Sequence, residues 1–554
     1  MSHAHSVVHL PNGQNLTVRP VFGGFFFKPD DLNVHTSVFP AGWTVNLQSE
    51  DYSDEHPQPA DAKDTEPSDT PKEKKRHIHP FRNPTLHNDS LFISSISNPS
   101  SNDFKAPASP TRQIAMMLWA SLYWYFHQPE PSPYLTTEAS KKTPDEGKPR
   151  GEWRINIKRE GVFRGRNLIQ KLERMGLIIS EDSTVGLNPE ESAPEGWLDM
   201  FISKRAFWQL PAKLFLFTLL PTDGSSFPGT PYGSRPNSPV CPTDGKDSPN
   251  RADNLESPSQ FSCPGLWSPS SVGPFASGSH LPTYFPPPPL QYAITSGIRH
   301  PIRPKPPRQG ELFYVRYIPS VGQYLSFRTA SLSPKPVAYK GPVSTSSAPS
   351  KTHQTAASLS SLPAHIAAAS ISESKSPIPT PETEDTTLMS DLKLLHKWMN
   401  NPRVSKFWGC AGPESTQEEF LRANLTSKSS FPAIGMWDGK PFGYFEIYWV
   451  KEDILGKHLG NRAGEFDRGF HVLVGEDEFR GKNRVKIWST SLAHWAFMQD
   501  YRTNAVVLEP RVDNVRFIST LNEAGFLKEG EITFPHKQSA FVKLRRENWE
   551  APAL

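Results

Sequence analysis

Four proline-bearing polar tracts interrupt this chain and confine any hydrophobic core to the stretches between them. They cover about residues 50–78, 129–151, 222–290 and 335–387, and include SEDYSDEHPQPADAKDTEPSDTPKEKKR, EPSPYLTTEASKKTPDEGKPRGE, GSRPNSPVCPTDGKDSPN and GPVSTSSAPSKTHQTAASLSSLP. Such segments cannot bury enough apolar surface to offset their chain entropy, so they are expected to be disordered insertions. The 554 residues still leave room for two cores. The expected division is an interrupted α+β domain over residues 1–290 and a second α/β domain over 291–554.

Composition excludes several classes of function. Sixty basic and 57 acidic residues leave a net charge of only +3, which gives no electrostatic case for nucleic acid or a membrane surface. The three cysteines, Cys241, Cys263 and Cys410, have no C-x-x-C spacing, so neither a disulfide framework nor a metal site is expected. MSHAHSVVHLPNGQ lacks the apolar run of a signal peptide, no segment approaches the length of a membrane span, and NWEAPAL is no peroxisomal address. A cytoplasmic protein is expected, acting on small molecules and compatible with a homo-oligomer.

Between the tracts, hydrophobic periodicity predicts the elements. RQIAMMLWASLYWYFHQ has helical spacing, and FRGRNLIQKLERMGLII reads as a helix closed by Gly176 and followed by a strand. The basic residues of that helix read as a solvated face rather than a DNA reader. Further along, GELFYVRYIPSVGQYLSFRTASL supplies strands, and FPAIGMWDGKPFGYFEIYWV is two strands joined by Asp438-Gly439, a hairpin signal. RGFHVLVG is a strand and GKNRVKIWSTSLAHWAFMQDY a helix with Val485, Trp488, Leu492 and Trp495 on one face. NAVVLEP, the helix from Asn514 to Ala524 and KQSAFVKLRR complete the order.

That order, with a charged turn at Arg480, Gly481, Lys482, Asn483 and Arg484 between a strand and a helix, resembles the GNAT acyl-CoA N-acyltransferases. Five co-linear blocks resemble the siderophore-biosynthesis members that acylate hydroxylysine or hydroxyornithine: WMNNPRVSKFWG, YFEIYWVKEDILG, DRGFHVLVGEDEFRGKN, VVLEPRVDNVRFI and FPHKQSAFVKL. The resemblance implies an α/β (α+β) fold of two GNAT-like domains with long disordered insertions, only the second catalytic. It implies acetyl transfer from acetyl-CoA to the side-chain nitrogen of hydroxyornithine, with no metal. A larger acyl-CoA such as anhydromevalonyl-CoA is the alternative within the fold. A non-enzymatic scaffold or DNA-binding protein is the alternative outside it.

The resemblance also assigns roles. His471 is the expected catalytic base and Asp513, just before a helix, its partner. The turn from Arg480 to Arg484 is expected to hold the CoA pyrophosphate on backbone N–H groups at a helix N-terminus. Asn514 is expected on pantetheine, and the amides of Leu473 or Val474 on the oxyanion. Glu452 and Asp453 are candidates for the acceptor's α-ammonium, with Trp408 and Trp449 lining its pocket. The tyrosine that many members carry four residues before the closing Gly525 is Leu521 here, so the leaving thiolate takes its proton from elsewhere.

Overall fold

The computed structural model describes residues 6–11, 13–30, 39–52, 76–97, 110–165, 168–180, 200–210, 290–344 and 385–554. Three expected insertions therefore lie largely outside the described residues. The fourth does not. Residues 129–151 form a hydrogen-bonded loop in which Leu135 N–H donates to Pro149 (2.8 Å), Gly151 N–H donates to Pro133 (2.8 Å) and Ser140 is buried. Proline and charge mark that segment as lacking a core of its own, but its backbone groups satisfy one another. The last tract also begins later than expected, because Ser344 N–H donates to Asp438 at 3.0 Å.

The N-terminal half holds β1 (Ser6–His9), β2 (Asn15–Val21), β3 (Gly24–Pro29), β4 (Gly42–Tyr52), β5 (Arg76–Pro80), β6 (Asp89–Ser97), helix α1 (Pro110–Tyr125), β7 (Arg154–Ile157), α2 (Leu168–Arg174), β8 (Ile179–Ser180), β9 (Met200–Ser203) and α3 (Lys204–Trp208). Its strands pair in the order β1-β2-β3-β4-β6-β7-β9-β8, with β5 on β4. A small hairpin, β10 (Tyr292–Thr295) and β11 (Ile298–Pro301), precedes the second half.

That half contains β12 (Leu312–Ile318), β13 (Gln323–Thr329), α4 (Asp391–Met399), α5 (Pro402–Trp408), α6 (Glu414–Thr426), β14 (Ser430–Trp437), β15 (Lys440–Trp449), α7 (Ile454–Leu459), β16 (Arg468–Val474), α8 (Lys482–Gln499), β17 (Ala505–Leu508), α9 (Val515–Glu523), β18 (Leu527–Phe534) and β19 (Lys537–Arg545). Its sheet runs β12-β13-β14-β15-β16-β17-β19-β18. The β14–β15 hairpin turns on Asp438 and Gly439, both at positive φ (45° and 82°), as the Asp-Gly pair predicts.

The two sheets share one plan: an antiparallel meander, a crossover helix, and a parallel strand joined by only two residue pairs. In the second half these pairs are Arg468 with Val506 and Gly469 with Val507; in the first they are Ser90 with Asn156 and Leu91 with Ile157. Helix α8 departs from the expected one-faced pattern. It is buried from Ile487 to Met498 on all sides. Its polar face, including His494, packs on Trp208 of the N-terminal half and on Trp549 (ring centroids 5.6 and 5.4 Å). A helix covered on both faces shows little amphipathic pattern.

Candidate active site

The site is built where β16 parts from β17. Val450 N–H donates to Asp467 (3.1 Å) and Gly475 N–H to Phe442 (2.9 Å), which fixes the phase of the β15–β16 ladder. Gly469, His471 and Leu473 therefore spend their backbone groups on β15, whereas Phe470, Val472 and Val474 turn theirs to the other edge. The β17 pairing ends at Gly469, so beyond it this edge faces a gap. The expected Leu473 amide is thus committed to the sheet, and Val474 is the residue whose amide faces the gap. Arg403 of α5 reaches the same edge, donating to the carbonyls of Val474 (2.9 Å) and Gly475 (3.0 Å).

On one sheet face, Glu446 of β15 sits opposite His471 of β16, and Tyr448 follows two residues later. Glu509, the first residue after β17, closes the gap: its Oε1 lies 2.5 Å from His471 Nε2. Its Oε2 accepts from the Tyr448 hydroxyl at 2.7 Å, and its backbone carbonyl accepts from Lys537 Nζ at 3.2 Å. The other ring nitrogen, Nδ1, lies 3.6 Å from Glu446 Oε2. Both imidazole nitrogens thus face carboxylates.

Burial works against charging His471, but Glu509 and Glu446 outweigh it and push its pKa up. Burial likewise works against ionising Glu509, yet the imidazolium and Lys537 hold its pKa below the usual carboxylate range. Both shifts favour the ion pair of His471 with Glu509. Burial first, and then the neighbouring Glu509, push the Tyr448 phenol well above its ordinary value.

Asp513 is placed apart from this cluster. Its carboxylate is taken by Arg511 (2.7 and 2.6 Å), on an exposed turn, so the partnership expected of it falls to Glu509. Glu452 is likewise occupied: Arg303 grips both its oxygens (2.5 and 2.7 Å), His300 lies 3.0 Å away, and its side chain is 2% exposed. An acceptor ammonium cannot reach it. Trp449 points to the opposite sheet face, where the guanidiniums of Arg468 and Arg303 stack on its ring at 3.4 and 4.4 Å. Strand alternation decides this, because Trp449 and Glu446 differ by an odd number of residues.

Asp453 stays near the cluster. It caps α7 by accepting from Leu455 N–H at 2.8 Å; burial raises its pKa, which also responds to His471, Glu509 and Glu446. Trp408 ends α5 and packs edge-on to Tyr444 (6.0 Å), a residue on the same face as Glu446.

The turn after β16 matches its expected role in part. Gly481 has φ 136°, a conformation that favours glycine, and a side chain there would meet nothing within 4 Å of its Cβ, so the approach to the first turn of α8 is open. Arg480 is half exposed and lies 3.5 Å from Asp477; Asn483 is exposed. The side chain of Lys482 lies outside the described residues. Arg484 turns inward instead, donating to Gln323 (2.8 Å) and stacking on Trp437 (4.5 Å). Asn514 is half-buried at the start of α9, and Leu521 is fully buried. These features fit a CoA ester laid along the open edge of β16 with its phosphates at α8. Among the described residues no His, Cys, Asp and Glu cluster could hold a metal.

Residues 387–534 match the family described as acetyltransferase (GNAT) domain. The chain is also 48% identical to the N5-hydroxyornithine acetylase sidL of Beauveria bassiana, over 96% of this chain and 99% of that one. The chain belongs to the GNAT acyltransferases. More partial relatives are the N(6)-hydroxylysine O-acetyltransferase of Escherichia coli (41% identical, 29% of this chain and 50% of the relative) and an anhydromevalonyl-CoA transacylase, SIDF, of Beauveria bassiana (31% identical, 49% and 52%).

Sequence reasoning passed over Glu509 and Glu446, although both stood in the quoted blocks. The signal was a lone acid closing or interrupting an otherwise apolar strand, in AVVLE and in YFEIYW. A carboxylate in such a place is retained only where a partner offsets its desolvation.

Proposed function

We infer that this chain is an acyl-CoA-dependent N-acyltransferase that moves an acetyl group from acetyl-CoA to the side-chain hydroxylamine nitrogen of N5-hydroxyornithine, a step in hydroxamate siderophore biosynthesis. The full-length match to a hydroxyornithine acetylase carries this reading. The match to the anhydromevalonyl-CoA enzyme covers only 49% of this chain, which favours acetyl over the larger group. A hydrogen-bonded His471, Glu509 and Tyr448 cluster beside an open strand edge argues for catalysis over a scaffold.

The parts divide the work. The Val474 and Val472 edge holds the thioester carbonyl, where backbone N–H groups stabilise developing negative charge. The turn at Arg480 and Gly481 and the first amides of α8 hold the phosphates. Asp453 and Trp408 border the acceptor. The hydroxylamine nitrogen is mostly neutral near pH 7 and keeps its lone pair, whereas the side-chain amine of ornithine is protonated and lacks one.

The N-terminal domain is the non-catalytic copy. Counting from the shared parallel pairs, Val45, Ile93 and Arg159 stand where Glu446, His471 and Glu509 stand in the second domain. Its gap is filled as well, for Gly161 (φ 55°) lies so close to Ile93 that any Cβ would collide with the Ile93 carbonyl. The protein acts in the cytoplasm and serves iron homeostasis; among the described residues no helix is long and apolar enough to cross a membrane.

Steady-state assays with hydroxyornithine, ornithine and a panel of acyl-CoAs test the reading. The highest kcat/KM is expected for acetyl-CoA with hydroxyornithine. Equal use of ornithine, or preference for a longer acyl chain, refutes the assignment.

A further inference from the structure

Both ring nitrogens of His471 face carboxylates, Glu509 at 2.5 Å and Glu446 at 3.6 Å, and the polar groups around it narrow the choice of base. Glu509 has one carboxylate oxygen on His471 and the other on Tyr448, with Lys537 3.7 Å from the first. Asp453 caps α7. The Tyr444 hydroxyl accepts from Asn424 of α6 at 2.9 Å, and the Cys410 thiol donates to the Trp408 carbonyl at 3.3 Å. Glu446 differs from all of these. Its side chain is 17% exposed, and its nearest charged neighbour is His471 Nδ1 at 3.6 Å, just beyond hydrogen-bond reach. Cys410, Tyr444, Tyr448 and Asp453 are close enough to feel its charge, so it lies among the polar groups of this sheet face.

We propose that Glu446 is the catalytic base of the acyl transfer and that His471, held by Glu509, positions it. This rests on the acetyl-transfer reading above. A hydroxylamine presented to Glu446 directs its O–H to one carboxylate oxygen and its N–H to the other.

The step balances without a further reactant. The nitrogen lone pair forms the N–C bond while the carbonyl π pair moves onto oxygen, toward the amides of the β16 edge. The N–H proton passes to the Glu446 carboxylate. The oxygen pair then re-forms C=O, the C–S bond breaks with its pair leaving on sulfur, and the proton held by Glu446 reaches the thiolate through water. Leu521, buried and apolar, takes no part, so one carboxylate serves both proton transfers.

The test is Glu446→Gln, which keeps size and one hydrogen-bond acceptor but cannot bind the proton. Its kcat with hydroxyornithine is expected to fall by roughly 10²- to 10⁴-fold, the usual worth of a general base, with KM for acetyl-CoA changed less than about twofold. Glu446→Ala provides the second variant, and added formate, a small carboxylate, is expected to restore at least about tenfold of its lost rate. A structural role would not respond to formate. A near-wild-type kcat for the Gln variant, or no formate response in a folded Ala variant that still binds CoA, overturns the proposal. Wild-type protein that fails to acetylate hydroxyornithine overturns the parent reading instead, so the two failures are distinguishable.

Discussion

Replacing Glu509 with Gln removes one charge from the site while keeping its volume and its contact with Tyr448. In the folded protein His471 is pushed up to about 10 from an ordinary 6.5, and Glu509 is pulled down to about 2 from 4.5. These shifts are one interaction seen from both partners, so they count once. At 1.36 kcal/mol per pH unit the histidine shift sets a ceiling of roughly 5 kcal/mol. Glu446 supplies part of it and the ring is 29% exposed, which leaves about 3 kcal/mol for Glu509. The sign follows from linkage. The raised histidine stabilises fully below its unfolded value of 6.5 and loses this as pH rises through about 10. The depressed carboxylate stabilises above 4.5 and loses this as pH falls toward about 2. The destabilisation by Glu509→Gln should therefore be largest near pH 5 to 6.5 and shrink steadily toward pH 10. Urea denaturation of both proteins at intervals across that range measures it, and an NMR titration locates the His471 pKa in each. A stability difference that is constant from pH 5 to 10, or a wild-type His471 titrating near 6.5, refutes the ionised pair.

Arg480→Ala should raise KM for acetyl-CoA about tenfold with kcat retained, since a charged phosphate contact is worth about 1.5 kcal/mol; an unchanged KM removes Arg480 from the phosphate site. Asp391 accepts both nitrogens of the buried Arg328 guanidinium (2.6 and 2.5 Å) and the Ser331 amide (2.8 Å). Asp391→Ala strands that guanidinium and should cost about 3–5 kcal/mol, lowering Tm by roughly 10 °C in calorimetry. A Tm within about 2 °C of wild type would show that the cation finds another partner.

The sequence by itself determined the local features of this protein. Asp438-Gly439 made its hairpin, Gly176 and Gly525 closed their helices at positive φ, and Gly481 opened α8. Most strands of the second half and its helices α8 and α9 followed from periodicities of two and 3.6 residues, which act within a few positions of one another, whereas α6, α7 and β18 were not foreseen. His471 was singled out by the family resemblance, since a lone histidine in an apolar strand is by itself more often structural. Its partner was not. Glu509 lies 38 residues away, and only the parting of β16 from β17 brings it to the ring, whereas Asp513, which sequence favoured, is spent on Arg511 two residues back. Glu452 and Asp453 are neighbours in the chain, yet one is sealed by Arg303 and the other borders the site. Which sheet edge is left open, which face a side chain takes and which charge offsets another's desolvation depend on register and on contacts between distant segments. Helix α8 shows the same limit: its apolar stripe predicted one buried face, and the N-terminal domain covered the other as well.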